Sequence, residues 1–301
     1  MTLDELETFV CIARLGGFTE ASRRLHRSQP AISRRIRELE SSVDTPLFHR
    51  VGRRVTLTEA GTALLPHAEA ALAAVRDGER AVRDRAGAGL VLRLAIVGTL
   101  ADSHIVDALR AFRSRFERAS VDLRTATSRE VSALVRSGEV DLGLRYFPDA
   151  DPALESIPLG AETLFVVVPA AHPMAARRLP DLHALRNETW LGFPTDRRHP
   201  DSFGYLLERQ LTAAGLTSPA ITPVDSLTAQ KRLVEAGLGI ALMPTSSVRE
   251  EVRVGSLRMI DIPDLNARLP VVAVRRVSGY HSSLATEFLT VLADHTPELD
   301  G

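Results

Sequence analysis

Two sets of side chains in this 301-residue chain have the types and spacing to act on a partner molecule. The first is cationic. Ser28 to Glu40 reads SQPAISRRIRELE, and Leu47 to Thr58 reads LFHRVGRRVTLT. Ser28, Gln29, Pro30, Ser33, Arg34 and Arg37 in one stretch, with Arg50, Arg53 and Arg54 in the other, combine hydroxyl, amide and guanidinium groups. That is the donor set that reads base edges and neutralises phosphates. Nine arginines against three acidic residues between Ser22 and Arg54 give a local charge of +6 in a chain whose net charge is −1. A local patch, not the overall charge, attracts phosphate. The placement of these arginines carries the argument more than their identity, because Lys231 is the single lysine of the chain.

The second set is scattered over the C-terminal two thirds: Thr99, Ser128, Arg145, and Phe193-Pro194-Thr195 followed by Arg197 and Arg198. Each sits where a strand-like run ends. Hydroxyls, an arginine and helix N-termini around one cleft would suit a small anion. Each also has a plainer reading: Thr99 and Ser128 as helix caps, Arg197 and Arg198 as solvated loop charges. No P-loop, GxSxG, HExxH or zinc-ligand spacing occurs, and the nine histidines form no usable pattern. No catalytic residue, metal site or cofactor is expected.

The cationic residues need elements to hold them. In SQPAISRRIRELE, Ile32, Ile36 and Leu39 share one helical face, while Pro30, Ser33, Arg34 and Arg37 point the other way. Ser28 is placed to cap, and Pro30 is tolerated in a first turn. Alone, such a segment is more often a solvated amphipathic helix. Its flanks decide. Upstream, Leu3, Leu6, Phe9, Val10 and Ala13 recur at helical spacing, and Gly16-Gly17 ends that helix. Thr19 is placed to cap a second helix carrying Ala21 and Leu25. His26-Arg27-Ser28 then turns into the third, which gives a helix-turn-helix. Downstream, LFHRVGRRVTLT reads as two short strands about Gly52, a wing with arginines at its tip.

The pattern L-x-x-F, FTEAS-x-x-L, SQPAIS-x-x-I-x-x-LE, LF-x-R and R-x-V-x-LTEAG from Leu3 to Gly61 closely resembles the winged helix-turn-helix of LysR-type transcriptional regulators. Ser22 stands where the family usually shows alanine, a change of little volume. GEVDLGL (Gly138 to Leu144) and VEAGLGIALMP (Val234 to Pro244) resemble the family's effector domain more loosely. The resemblance implies residues 1–58 as DNA-binding domain, 59–88 as linker helix and 89–301 as effector domain. The effector domain would be two α/β subdomains like a periplasmic solute-binding protein. Subdomain I would comprise about 89–162 and 267–301, and subdomain II about 163–266, with crossovers near Glu162 and Ala267.

Residues carry part of this independently. Leu65, Ala68, Leu72, Val75, Glu79 and Val82 repeat at heptad spacing. The resemblance makes this the seam that pairs two subunits, through Leu65, Leu72, Val75 and Val82; the alternative is a helix packed on its own domain. Pro66 should bend it, and Gly87-Ala88-Gly89 should end it as a hinge. From Leu90, strands alternate with helices as parallel α/β sheets require. The apolar content of 45% and charged content of 25% are those of ordinary globular chains. No apolar run reaches the ~18 residues of a membrane span, and the acidic N-terminus is unlike a signal peptide. Cys11 is the single cysteine, which excludes an intrachain disulfide and the two-cysteine peroxide switch of some family members.

The expectation is a cytoplasmic regulator that binds double-stranded DNA at a promoter palindrome as a dimer or tetramer, modulated by a small anionic effector. The alternatives are an architectural DNA binder without a ligand, and an enzyme with an appended DNA-binding module.

Overall fold

The computed structural model describes every residue except 52–53, 86–89, 103, 176, 196–202, 217, 264, 266 and 296–301. Helix α1 (Leu3–Leu15) begins at a capping box: the Glu5 N–H donates to the Thr2 hydroxyl and the Glu5 carboxylate accepts from the Thr2 N–H. It ends at Gly16, whose φ of 69° is left-handed. Helix α2 (Phe18–Arg24) starts from Gly17 without a side-chain cap, so Thr19 lies inside the helix and is not its cap. The turn passes through His26, itself left-handed at φ 51°. Helix α3 (Gln29–Ser42) follows, with Ser28 in the extended N-cap conformation. The Ser28 hydroxyl makes no cap bond, contrary to the expectation, and the residue is exposed.

The three helices bury Phe9, Ile12, Ala21, Ile32, Ile36 and Leu39 against one another. Strands β1 (Phe48–Val51) and β2 (Arg54–Leu57) pair antiparallel. The pair is tied to the helices at three points. The Glu40 carboxylate accepts from the Leu47 N–H at 2.8 Å. Phe48 packs on Phe9 and Phe18, with ring centroids 5.3 and 6.0 Å away. Thr58 donates to the Pro46 carbonyl and accepts from the Gly61 N–H, which caps helix α4 (Glu59–Arg85). LTEAG is therefore a structural joint between the wing and the long helix.

Helix α4 runs without interruption through Pro66. The expected hinge glycines, Gly87 to Gly89, lie outside the described residues. The heptad seam divides. Ala68 and Leu72 are buried in the core of their own DNA-binding domain and Leu65 packs partly against it, whereas Val75 and Val82 are 42% and 70% exposed. Leu72 is thus corrected: it faces inward because α1 lies along that side of α4, while Leu65 is only partly covered. Apolar periodicity reports a buried face, not the chain that buries it.

The effector domain is built on a mixed sheet in the order β4-β3-β5-β11-β6-β9-β7-β8, with β10 on the other side of β6. Its strands are β3 (Val91–Val97), β4 (Ser120–Ala126), β5 (Leu142–Tyr146), β6 (Leu154–Pro169), β7 (Thr189–Gly192), β8 (Ala220–Pro223), β9 (Ile240–Pro244), β10 (Leu257–Ile260) and β11 (Arg268–Arg276). Strands β3, β4 and β5 are parallel and connected through α5 (Ile105–Arg115) and α6 (Ser128–Arg136). The long β6 pairs with β11 up to Thr163, then with β9 from Leu164. That change of partner divides the sheet into two subdomains. The second holds α7 (Phe203–Ala213), α8 (Leu227–Glu235) and α9 (Thr245–Val254). Helix α10 (Ser283–His295) returns to subdomain I, with Phe288 edge-on to Phe112 at 5.4 Å. The alternation expected from Leu90 onward is present, and it includes elements that the sequence pattern does not resolve: β8, α9, β10 and the first half of β6. Pro158 and Gly160 break the strand pattern of the sequence in the first half of β6, and β8 and β10 have four residues each. Among the described residues no helix is long and apolar enough to cross a membrane.

Candidate DNA interface and effector cleft

On α3 the buried residues Ile32, Ile36 and Leu39 leave Gln29, Pro30, Arg34 and Arg37 exposed and Ser33 partly so. The exposed set gathers at the N-terminal half, the end of a recognition helix that meets base edges. Among the described residues Arg34 is held only by a loose 3.5 Å contact to Glu38, both groups well exposed, and Arg37 donates to the Ser33 carbonyl at 3.4 Å. Surface pairs of this kind are worth little, so both guanidiniums remain available to a polyanion. Arg35 differs. It bonds Asp4 at 2.7 Å and ties α3 to α1. Of the wing arginines, Arg53 lies outside the described residues; Arg50 and Arg54 sit on β1 and β2 at the two sides of the tip.

The C-terminal ends of β3, β4 and β5 form the second candidate site. Thr99 lies in a 3-10 turn (Gly98–Asp102) directly after β3. It caps no helix; its hydroxyl donates to the Tyr146 hydroxyl at 3.1 Å. Tyr146 donates in turn to the Glu162 carboxylate at 3.1 Å, and Ser246 at the start of α9 donates to the other oxygen of Glu162 at 2.8 Å. A hydrogen-bonded chain thus crosses from subdomain I, through the crossover strand, to subdomain II. Phe203 opens α7, packs edge-on to Phe193 at 5.1 Å and lies 6.3 Å from Tyr146. Phe193 is partly buried by this, while Pro194 and Thr195 are exposed beyond it. Arg197 and Arg198 fall outside the described residues.

Ser128 is the first residue of α6, next to Ala126 at the end of β4. The helix cap is Thr127, whose hydroxyl accepts from the Glu130 N–H in a reciprocal capping box. The plain capping role considered for Ser128 is therefore filled by its neighbour.

Arg145 is the correction in this site. On β5, Leu142, Leu144 and Tyr146 belong to the main core. Gly143, on the opposite face, meets Val131 and Val135 of α6 so closely that an added Cβ would lie 2.5 and 2.9 Å away. Arg145 shares that opposite face. It is 7% exposed, donates to the Ser132 hydroxyl at 2.8 Å and is paired with Asp149. Burial alone would raise the Asp149 carboxyl, but the Ser132 hydroxyl, the Asp151 N–H and the charges of Arg145 and Arg136 hold it below its ordinary value. Arg145 locks α6 to the sheet, and Tyr146, one residue on, is buried on the other face and bonds Thr99 and Glu162. Both faces of β5 are buried, so no alternation of polarity in LGLRY marked which residue pointed where.

A helix-turn-helix with a wing, a long linker helix and a two-part α/β domain in this order also appear in known proteins. The family profile described as bacterial regulatory helix-turn-helix protein, lysR family, matches residues 3–62, and that of the LysR substrate binding domain matches residues 85–297. The chain belongs to the LysR family of transcriptional regulators. The regulator CfxR of Cupriavidus necator is 30% identical over 311 residues, covering 100% of this chain and 94% of CfxR. CbbR of Rhodospirillum rubrum is 31% identical, covering 87% of this chain and 86% of its own. Among solved structures, full-length CbnR complexed with its target DNA is 26% identical with a TM-score of 0.58, covering 99% of this chain and 100% of that one. A hydrogen-peroxide-bound mutant of Corynebacterium glutamicum OxyR is 27% identical with a TM-score of 0.60, covering 98% and 92%. This LysR-family regulator is thus a DNA-binding protein with a separate effector domain.

Proposed function

We propose that this regulator works in the cytoplasm, without catalysis, as a dimer or a dimer of dimers on an imperfect promoter palindrome. Ser28, Gln29, Pro30, Ser33, Arg34 and Arg37 read and hold the major groove, and Arg50, Arg53 and Arg54 clamp the backbone beside it. Val75 and Val82, exposed on α4, are the residues of the expected seam that a second subunit would cover. The effector is a small anion bound at Thr99 and Ser128, with Phe193, Pro194 and Thr195 closing over it from subdomain II. The observation that carries this is the position of Ser128: it is the first residue of α6, at the positive end of the helix, and the cap bonds there belong to Thr127 and Glu130. The chain Thr99–Tyr146–Glu162–Ser246 supports a cleft whose two walls communicate.

A ligand that bridges two walls binds the closed arrangement better, and only that difference can shift the DNA-bound geometry. A preference of ~2 kcal/mol moves the population about thirtyfold. Thermal-shift screening of small carboxylates and aromatic acids tests the reading, since a ligand of the folded state raises stability by mass action. Ser128→Ala should abolish the shift and the effector response while leaving DNA affinity intact. A Ser128→Ala protein that still responds fully overturns the assignment. The absence of any stabilising anion would favour the architectural reading.

A further inference from the structure

Helix α6 ends where three parts of the molecule meet. Its C-terminal carbonyls are met by arginines from outside the effector domain. Arg14 of α1 donates to the Ala133 carbonyl at 3.0 Å, Arg76 of α4 to the Ser137 carbonyl at 2.8 Å, and Arg80 of α4 to those of Gly138 and Glu139. Cations at this end oppose the negative pole of the helix. Around them lies a cluster of carboxylates. Glu69 of α4, 2% exposed, accepts from Arg14 at 3.0 Å and from Arg136 of α6 at 2.7 Å. Glu139 accepts from Arg14 at 2.7 Å and from Arg124 at 3.2 Å. Burial would raise the Glu139 carboxyl, but the charge and hydrogen bond of Arg14, with Arg76 and Ser137, bring it below its ordinary value. Further along α4, Asp77 bonds Arg276 at 2.6 Å and Arg80 bonds Asp141 at 2.9 Å.

Two joints of opposite character result. The DNA-binding domain is fused to α4 by an apolar core that includes Ala68 and Leu72. The effector domain is attached to that body by ion pairs and hydrogen bonds, flanked by two solvent-open grooves of about 350 and 340 Å³. Opening an apolar joint exposes hydrophobic surface to water. A joint of ion pairs exchanges its partners for water at little net cost, because desolvation and attraction nearly cancel. The polar joint is the one that can change.

We propose that Arg14 is a positioning residue: it latches the DNA-reading domain to effector subdomain I through Glu69 and Glu139, and so fixes the direction in which α3 is presented. Arg14 stands on the last turn of α1, on the DNA-binding side of the apolar joint, and reaches across to both other parts. It contributes no contact to the α3 face. The other end of α6 carries Ser128, so the latch sits at the far end of a rigid nine-residue helix from the candidate effector site. The latch does not depend on Ser128 binding anything, and its test uses no effector.

The experiment uses the full chain with Cys11→Ser and spin labels on Ser41→Cys and Glu117→Cys, the labelled subunits diluted into unlabelled protein. Both labelled positions are exposed. The parent should give a single narrow distance. Arg14→Gln, and Glu139→Gln from the other side of the contact, should broaden it at least twofold; Arg14→Lys should restore part of the narrow population. DNA duplexes selected from a random pool by the parent protein supply the functional readout. On a duplex with two half-sites at the selected spacing, Arg14→Gln should lose about 3–10-fold in affinity. On a single half-site it should match the parent, because the reading surface itself is intact. A merely structural role would weaken both duplexes alike. If Arg14→Gln does not fold, Glu139→Gln leaves the DNA-binding domain untouched and decides alone. An unchanged distance distribution, or equal losses on the two duplexes, overturns the proposal.

Discussion

At Gly61 the linker helix lies against Leu47 and Leu57 of the wing, and replacing this glycine by alanine should cost more than helix propensity returns. A Cβ there would lie 2.2 Å from the Leu47 carbonyl oxygen, 2.9 Å from Leu57 Cδ2 and 3.1 Å from the Leu47 carbonyl carbon. Carbon–oxygen contacts need about 3.2 Å or more, so α4 and β1 must part by roughly 1 Å. The blocking group is backbone, and it cannot swing aside freely because it accepts from the Thr58 N–H at 3.0 Å. Alanine gains at most ~1 kcal/mol of helix propensity. Overpacking costs ~1–3 kcal/mol, and loss of the Thr58 bond would add ~1 kcal/mol. Destabilisation wins, by about 1–3 kcal/mol. For a domain of 60–100 residues each kcal/mol lowers the midpoint by about 4–8 °C, so calorimetry should show a fall of roughly 4–24 °C. Displacement of the wing should also weaken binding to random-sequence duplex. A Gly61→Ala protein that melts at or above the parent temperature would refute the packing argument.

Four further outcomes are expected. Gln29→Ala or Arg34→Ala should cost ~1–3 kcal/mol at a selected site and flatten discrimination between sites; unchanged binding to selected and random DNA in both would remove this face from base reading. Arg53→Ala should weaken binding to all sequences and reduce the salt slope by about one unit, whereas an intact slope with a new base preference would make Arg53 a base reader. Leu72→Glu should unfold the DNA-binding domain, since it places a charge in an apolar core at ~3 kcal/mol or more, while Val75→Glu should leave folding intact and lower the dimer fraction in sedimentation. The reverse pattern would show that the inward and outward faces of α4 are wrongly assigned. Glu139, with its pKa depressed by Arg14 against the effect of burial, stabilises the fold above its unfolded pKa and loses that contribution as pH falls through its folded value. The gap in melting temperature between parent and Glu139→Gln should therefore be full above the ordinary glutamate range and narrow as pH falls below it, and a gap independent of pH would contradict the assignment.

The DNA-binding half was legible because its determinants are local. The Gly16 terminus, the apolar faces of α1 and α3 and the paired strands around Gly52 all lie within one another's sequence neighbourhood, so periodicity and turn chemistry specify them. The alternation of strands and helices after Leu90 was also legible, as was the local excess of arginine, but β8, α9 and β10 were not. Caps were less so. Thr19 and Ser28 have the right chemistry for capping, but Gly17 opens α2, and the Ser28 side chain makes no cap bond at α3.

Tertiary structure alone decided which faces those elements present. Leu72 and Val75 follow the same heptad rule, yet α1 covers one and leaves the other exposed. Arg145 and Tyr146 are consecutive on a strand buried on both sides, and only the placement of α6 against one face gave the arginine Ser132 as partner while the tyrosine bonds Thr99 on the other. Arg14 meets Glu69 across 55 positions and Glu139 across 125. No helical or strand period spans such separations. Charged residues on a helix read as a solvated face until another part of the chain folds onto them, and that packing converted Arg14 from a surface charge into a joint.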